Sequence, residues 1–157
     1  MKKTLKTLIS MLLVLVLALC MFSCNKEGGD TDDTSADGAP APSLWDSATY
    51  KENKEFGSGA KTLTLEVKME DKIVTFTIKT DKETVGAALL EHGLIAGKES
   101  QYGLYIKNVN GVTADFDVDQ SYWAFYVNGE YAMSGADTTE INEGDVYRLE
   151  YTKQQIG

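Results

Sequence analysis

Tyr122-Trp123-Ala124-Phe125-Tyr126-Val127-Asn128-Gly129-Glu130 is an aromatic, β-forming run closed by Asn-Gly. Both central positions of a two-residue hairpin loop must tolerate positive φ, and Asn followed by Gly meets that demand. A strand over residues 122–127 should therefore turn at Asn128-Gly129 and return over residues 130–133. Successive strand side chains point to opposite faces. Trp123, Phe125 and Val127 then share one face, and Tyr122, Ala124 and Tyr126 share the other. The first set suits a core. The second, extended by Tyr131 and Met133 from the returning strand, suits an outward aromatic surface.

Upstream, Leu63, Leu65 and Val67 alternate with Thr62, Thr64, Glu66 and Lys68, and Val74, Phe76 and Ile78 alternate with Thr75, Thr77 and Lys79. Period two over each run predicts two half-buried strands, and the short Glu70-Asp71 link makes them a hairpin. The period then lengthens: Val85, Ala88, Leu89 and His92 fall on one helical face. Thr80 or Asp81 can cap the start of this helix, and Gly93 suits the left-handed position at its end. Residues 102–109 read as a further strand, stopped by Asn110-Gly111. Downstream, Asn142-Glu143-Gly144-Asp145 is a turn, and Tyr147, Leu149 and Tyr151 form the inward face of a last strand. Two strands, a crossing helix and several more strands predict an α+β, β-grasp-like fold: a mixed sheet of about five or six strands packed on one helix.

The N-terminus reads as targeting rather than structure. Lys2, Lys3 and Lys6 precede an apolar run over residues 8–21, which is shorter than the roughly 20 residues a spanning helix needs. Met21-Phe22-Ser23-Cys24 resembles a bacterial lipobox, with Cys20 as a poorer competing site. Residues 1–23 are expected to be a lipoprotein signal peptide, and Cys24 the lipidated N-terminus of the mature chain. Two acyl chains suffice for stable anchoring. Residues 24–59 are read as a flexible acidic linker, with Trp45, Tyr50 and Phe56 able to dock. Residues 60–157 are read as the folded domain. The expected location is the extracytoplasmic face of the cell membrane.

Composition narrows the function. Cys20 and Cys24 are the chain's only cysteines, so the domain has no disulfide or thiol nucleophile. The formal charge is −9, and loss of Lys2, Lys3 and Lys6 with the signal takes it to −12. With Arg148 the sole arginine, such a domain repels phosphate backbones, which disfavours nucleic acid as a partner. His92 is the only histidine and ends a helix, where a structural role is expected; no nucleophilic triad can be assembled around it. Asp115, Asp117 and Asp119 alternate in a segment read as extended and are weak candidates for holding calcium. Gln120 and Tyr126 stand where an EF-hand needs glycine and glutamate, so this is no EF-hand. A solvated acidic loop is the plainer reading. The domain is expected not to be an enzyme.

The strand 122–130, continued through Gly135-Ala136-Asp137 and Glu143-Gly144-Asp145, resembles the transcobalamin-like C-terminal domain family, a bacterial domain of unknown function. Thr84-Val85-Gly86-Ala87-Ala88-Leu89-Leu90, Tyr102-Gly103, Ile106 and Asn110-Gly111 add to the likeness. The family takes its name from the β-rich domain that closes over cobalamin in animal carriers, whose separate helical domain this chain has no room for. The resemblance implies a non-catalytic surface lipoprotein with a small ligand-binding domain and a cobalamin-type corrinoid as ligand. Tyr102, Tyr122, Trp123, Tyr126, Tyr131 and Met133 are the candidate contacts. The alternative is a protein- or glycan-interaction module with an envelope partner.

Overall fold

The hairpin read from the first alternating runs forms as expected. β2 (Lys61–Met69) and β3 (Lys72–Thr80) pair antiparallel in unbroken register from Lys61↔Thr80 to Met69↔Lys72. Leu63, Leu65, Val67, Met69, Val74, Phe76 and Ile78 are all buried along one face. The computed structural model describes residues 42–154, so the expected signal segment and Cys24 lie outside the described residues.

Helix α1 (Val85–Glu91) follows β3 and buries Val85, Ala88 and Leu89. Its N-cap is Thr84, whose hydroxyl accepts from Ala87 N, rather than Thr80 or Asp81. Thr80 Oγ1 instead accepts from Lys82 N. Gly93 takes φ +63° just past the helix, the left-handed conformation that ends it. The chain then runs through β4 (Ile95–Ser100), β5 (Gly103–Val109) and β6 (Val112–Thr113), a separate three-stranded sheet in that order.

β7 (Ser121–Val127) and β8 (Glu130–Tyr131) form the aromatic hairpin, with Asn128 at φ +51° and Gly129 at φ +85°, as its turn requires. β9 (Val146–Lys153) returns between β2 and β7, parallel to β2 and antiparallel to β7. With β1 (Lys54–Gly57), this gives a six-stranded mixed sheet ordered β1-β3-β2-β9-β7-β8. The parallel pairing of β2 with β9 at its centre is the β-grasp arrangement. Tyr147 and Leu149 are fully buried and Tyr151 half-buried, the inward face expected of the last strand.

The packed unit begins well before residue 60. A 3-10 turn at Leu44–Asp46, capped by Ser43, buries Trp45, whose indole N–H donates to Met69 O at 3.0 Å. β1 then pairs in parallel with the outer side of β3. Asn110 ties this arm down. Its buried side chain accepts from Tyr50 N at 2.9 Å and donates to Tyr50 O at 2.7 Å, and its carbonyl accepts from Thr49 N at 2.8 Å. The linker assigned to residues 24–59 is corrected at this end. Local composition marks residues 43–57 as loop-like, but their partners lie far along the chain. Asn110→Ala removes two buried side-chain hydrogen bonds and strands the Tyr50 amide and carbonyl. We expect it to cost about 2 kcal/mol and to open residues 43–57 to proteolysis, read by denaturant melts and limited digestion.

Candidate functional site

The expected extended segment around Asp115 is instead a helical turn, α2 (Phe116–Asp119), with Asp115 as its N-cap. The three carboxylates therefore do not project together. Asp115 pairs with Lys107 Nζ at 3.0 Å, Asp117 stands exposed, and Asp119 pairs with Lys153 Nζ at 2.9 Å while accepting from the Ser121 hydroxyl. Among the described residues, no group of three or more His, Cys, Asp or Glu side chains could hold a metal ion. The Ser121 hydroxyl and Lys153 hold the Asp119 carboxyl down at about 2. A depressed folded-state value stabilises above the unfolded value near 3.8 and is lost as pH falls through about 2. Asp119→Asn should therefore lower the melting temperature at neutral pH and make no difference below pH 2, compared by thermal melts across that range.

The concave site lies where β7 and β5 face each other. β8 pairs with β7 only at Tyr126 and Val127, and Ala132 N then reaches Phe125 O at 2.9 Å before the chain turns away. Residues 121–124 of β7 thus have a sheet partner on the β9 side alone. Beside this free edge is a cleft of about 250 Å³. Trp123, Phe125, Leu104 and Ile106 give it an apolar lining, Tyr105 and Tyr131 are its exposed aromatics, and Tyr122, Ala132, Ser134, Gly135 and Ala136 complete it. Trp123 stands edge-on to Tyr151 with ring centres 5.5 Å apart, and Phe125 stacks on Tyr147 at 6.3 Å. The buried Tyr147 hydroxyl accepts from Asn142 N and donates to Glu140 O; burial pushes its ionisation up.

Residues 132–139 close one end of the cleft and are pinned from several sides. Gly86 N donates to Ala136 O at 2.7 Å, and Val85 N to Thr139 O at 2.9 Å. With the Thr84 hydroxyl accepting from Ala87 N, the free N–H groups of Val85, Gly86 and Ala87 are all satisfied, and Ala88 N makes the first intrahelical bond to Thr84 O. Asp137 Oδ2 accepts from Leu104 N at 3.2 Å, joining this loop to β5. The Gly-Ala-Asp triplet is thus a knot between helix, loop and second sheet.

Of the candidate contacts, Tyr122, Trp123 and Tyr131 line the cleft. Met133, almost fully exposed, shares with Tyr131 a shallower adjoining hollow of about 580 Å³. Tyr126 meets Tyr131 edge-on at 5.5 Å but lines neither. Tyr102 stands 88% exposed at the β4–β5 turn and lines neither. The concavity therefore gathers Trp123 and Phe125, which alternation assigns to the core, and not the full tyrosine face. Leu104, Tyr105, Ile106, Phe125 and Ala136 are the contacts that the sequence does not single out. The half-alternating pattern of β5 offers a signal for Leu104 and Ile106 only. Among the described residues, the N-terminal arm packs on β3 and Asn110 and contributes nothing to the cleft lining.

Fold and site together define a small β-grasp-like domain with an open aromatic cleft. The model of a family described as Domain of unknown function (DUF4430) matches residues 82–153. A solved structure from Ruminococcus gnavus ATCC 29149, named as a candidate metal binding protein, is 31% identical, with a TM-score of 0.57, over 61% of this chain and 100% of that one. The chain belongs to the same family as that protein. Haptocorrin, solved in complex with Cbi, is 17% identical with a TM-score of 0.50, a likeness of fold. The match covers 64% of this chain and 27% of haptocorrin. No curated protein matches.

Proposed function

We propose that this domain is a non-catalytic binder of a flat, amphipathic small ligand of the corrinoid type, held at the cleft between β5 and β7. The observation that carries this reading is the cleft itself. Its floor is Trp123 and Phe125, its exposed aromatics are Tyr105 and Tyr131, and a free strand edge runs beside it. Apolar walls with a few polar groups at the rim are the usual make-up of small-molecule sites, and tyrosine offers an apolar body with a polar tip. The fold likeness to haptocorrin, whose complex holds Cbi, supports the choice of ligand class. A corrin macrocycle is far larger than about 250 Å³, so the domain would grip one edge of it. A second protein body would then cover the remainder.

Cobinamide titrated calorimetrically into the mature chain from residue 24, expressed without the signal segment and carrying Cys24→Ser, tests the reading. The expected Kd for such a half-site is in the tens of micromolar, about −6 kcal/mol. Absence of binding at ten times that concentration, with the near-ultraviolet circular dichroism intact, would overturn it.

The domain's setting is proposed from the lipobox-like residues at Cys24: lipid anchorage on the extracytoplasmic face of the membrane. Incorporation of labelled palmitate that disappears in Cys24→Ser is the expected result, and equal labelling of both would refute it. A second reading, an interaction module for an envelope protein, draws on the free β7 edge, which an extended peptide could join by main-chain hydrogen bonds. Capture of a defined envelope protein, lost in a proline-substituted β7 edge and unaffected by cobinamide, would favour it.

A further inference from the structure

Among the described residues, three buried side-chain atoms have no hydrogen-bond partner: His92 Nε2, Trp123 Nε1 and Asp137 Oδ1. Native proteins leave few such atoms, and each calls for an explanation. His92 lies elsewhere, against Phe56 and Gly57 of β1. The other two both border the cleft: Trp123, only 7% exposed, lies within its lining, and Asp137 is next in sequence to the lining residues Gly135 and Ala136. Asp137 holds Leu104, also in the lining, through its second oxygen. Its unpartnered oxygen occupies the space that a Cβ on Gly135 would need.

An indole N–H can only donate, and a carboxylate can only accept. A ligand group answering both must accept at one atom and donate from another. A carboxylate or phosphate would be repelled by Asp137, and an ammonium has no acceptor. A primary carboxamide has both halves, side by side in one plane. We propose that the cleft recognises a carboxamide, its carbonyl accepting from Trp123 Nε1 and its N–H donating to Asp137 Oδ1. Both protein atoms are shielded from solvent, so the amide reaches them by displacing the exposed Met133 and Ser134 side chains at the cleft rim, while Ala136 and Asp137 keep their bonds to Gly86 and Leu104. The inference rests on, and deepens, the small-ligand reading of the same cleft.

The test uses the same mature Cys24→Ser chain, ¹⁵N-labelled, whose two tryptophans each give one indole N–H signal. That of Trp45 is held by Met69 O and serves as the internal control. Acetamide should shift the Trp123 signal and leave that of Trp45, while acetate should shift neither. Trp123→Phe removes the donor but keeps an aromatic ring. Asp137→Asn can keep an acceptor for Leu104 while turning the orphan acceptor into a donor. Each should weaken cobinamide binding about tenfold, a change of 1.4 kcal/mol. If acetamide leaves the Trp123 signal unmoved and Trp123→Phe binds cobinamide as tightly as the parent, the carboxamide site is refuted while the corrinoid reading stands. If acetamide shifts Trp123 selectively but cobinamide does not bind, the carboxamide site stands and the corrinoid reading falls.

Discussion

Replacement of Trp45 by alanine is expected to destabilise the domain by about 3–5 kcal/mol, the usual cost of removing a large buried aromatic side chain. Trp45 lies outside the β-grasp sheet in sequence, yet it is 6% exposed and belongs to the same apolar cluster as Met69, Val74 and Phe76. Its truncation leaves a cavity beside Met69 and loses the hydrogen bond to Met69 O. The Lys72 ammonium, 4.8 Å above the indole ring, loses its cation–π partner as well. Urea unfolding followed by circular dichroism measures the loss. A chain beginning at residue 60 forfeits Trp45, Ala48, Tyr50, Phe56 and the whole of β1 together, and should not fold to a single cooperative state. A Trp45→Ala variant as stable as the parent would show that the arm is an ornament on the fold rather than part of its core.

The second large effect belongs to Gly86. In a helix, exchange of glycine for alanine ordinarily gains about 1 kcal/mol. Here a Cβ would stand 2.7 Å from Asp137 Cα, 2.8 Å from Asp137 N and 3.0 Å from Ala136 C. All three are backbone atoms, and the loop carrying them is tied to the helix by the bond from Gly86 N to Ala136 O. It cannot retreat without breaking that bond and dragging Asp137 away from Leu104. The clash should outweigh the propensity gain and leave Gly86→Ala less stable by about 2–3 kcal/mol, the range of overpacked cores. A fall in melting temperature on the order of 10 °C is expected. The same shift displaces Gly135 and Ala136 from the cleft lining, so any ligand affinity should drop along with stability.

These two sites show why part of the fold is legible from sequence and part is not. Period-two burial in β2, β3 and β9 and the change of period at α1 are local signals, and the structure follows them residue by residue. Asn128-Gly129 and Asn110-Gly111 likewise declare their positive-φ turns. By contrast, Asn110 reads in sequence as a turn residue and nothing more. Its buried hydrogen bonds to Tyr50 span 60 positions and have no local signature. β4, with five of its six residues exposed, shows no alternation, because both faces of most of the strand meet water.

The candidate site divides the same way. Tyr122, Trp123 and Tyr131 are visible as an aromatic hairpin. Leu104, Tyr105, Ile106 and the loop through Ala136 join them only because β5 is brought across to the free edge of β7. Asp115, Asp117 and Asp119 look like a cation-binding row when drawn as a strand. A helical turn sends Asp115 to Lys107 and Asp119 to Ser121 and Lys153, and the row disperses.

The order of β2, β3, α1, β5, β7, β8 and β9, the alternating buried faces of β2, β3 and β9, and the hairpin turns were determined by the sequence itself, because alternation and turn chemistry act between neighbours within a few residues. Where the packed unit begins, which side of β7 becomes concave and what Asp137 holds were decided by tertiary structure alone. Each of these depends on contacts between residues tens of positions apart, and a residue's type does not name its distant partner.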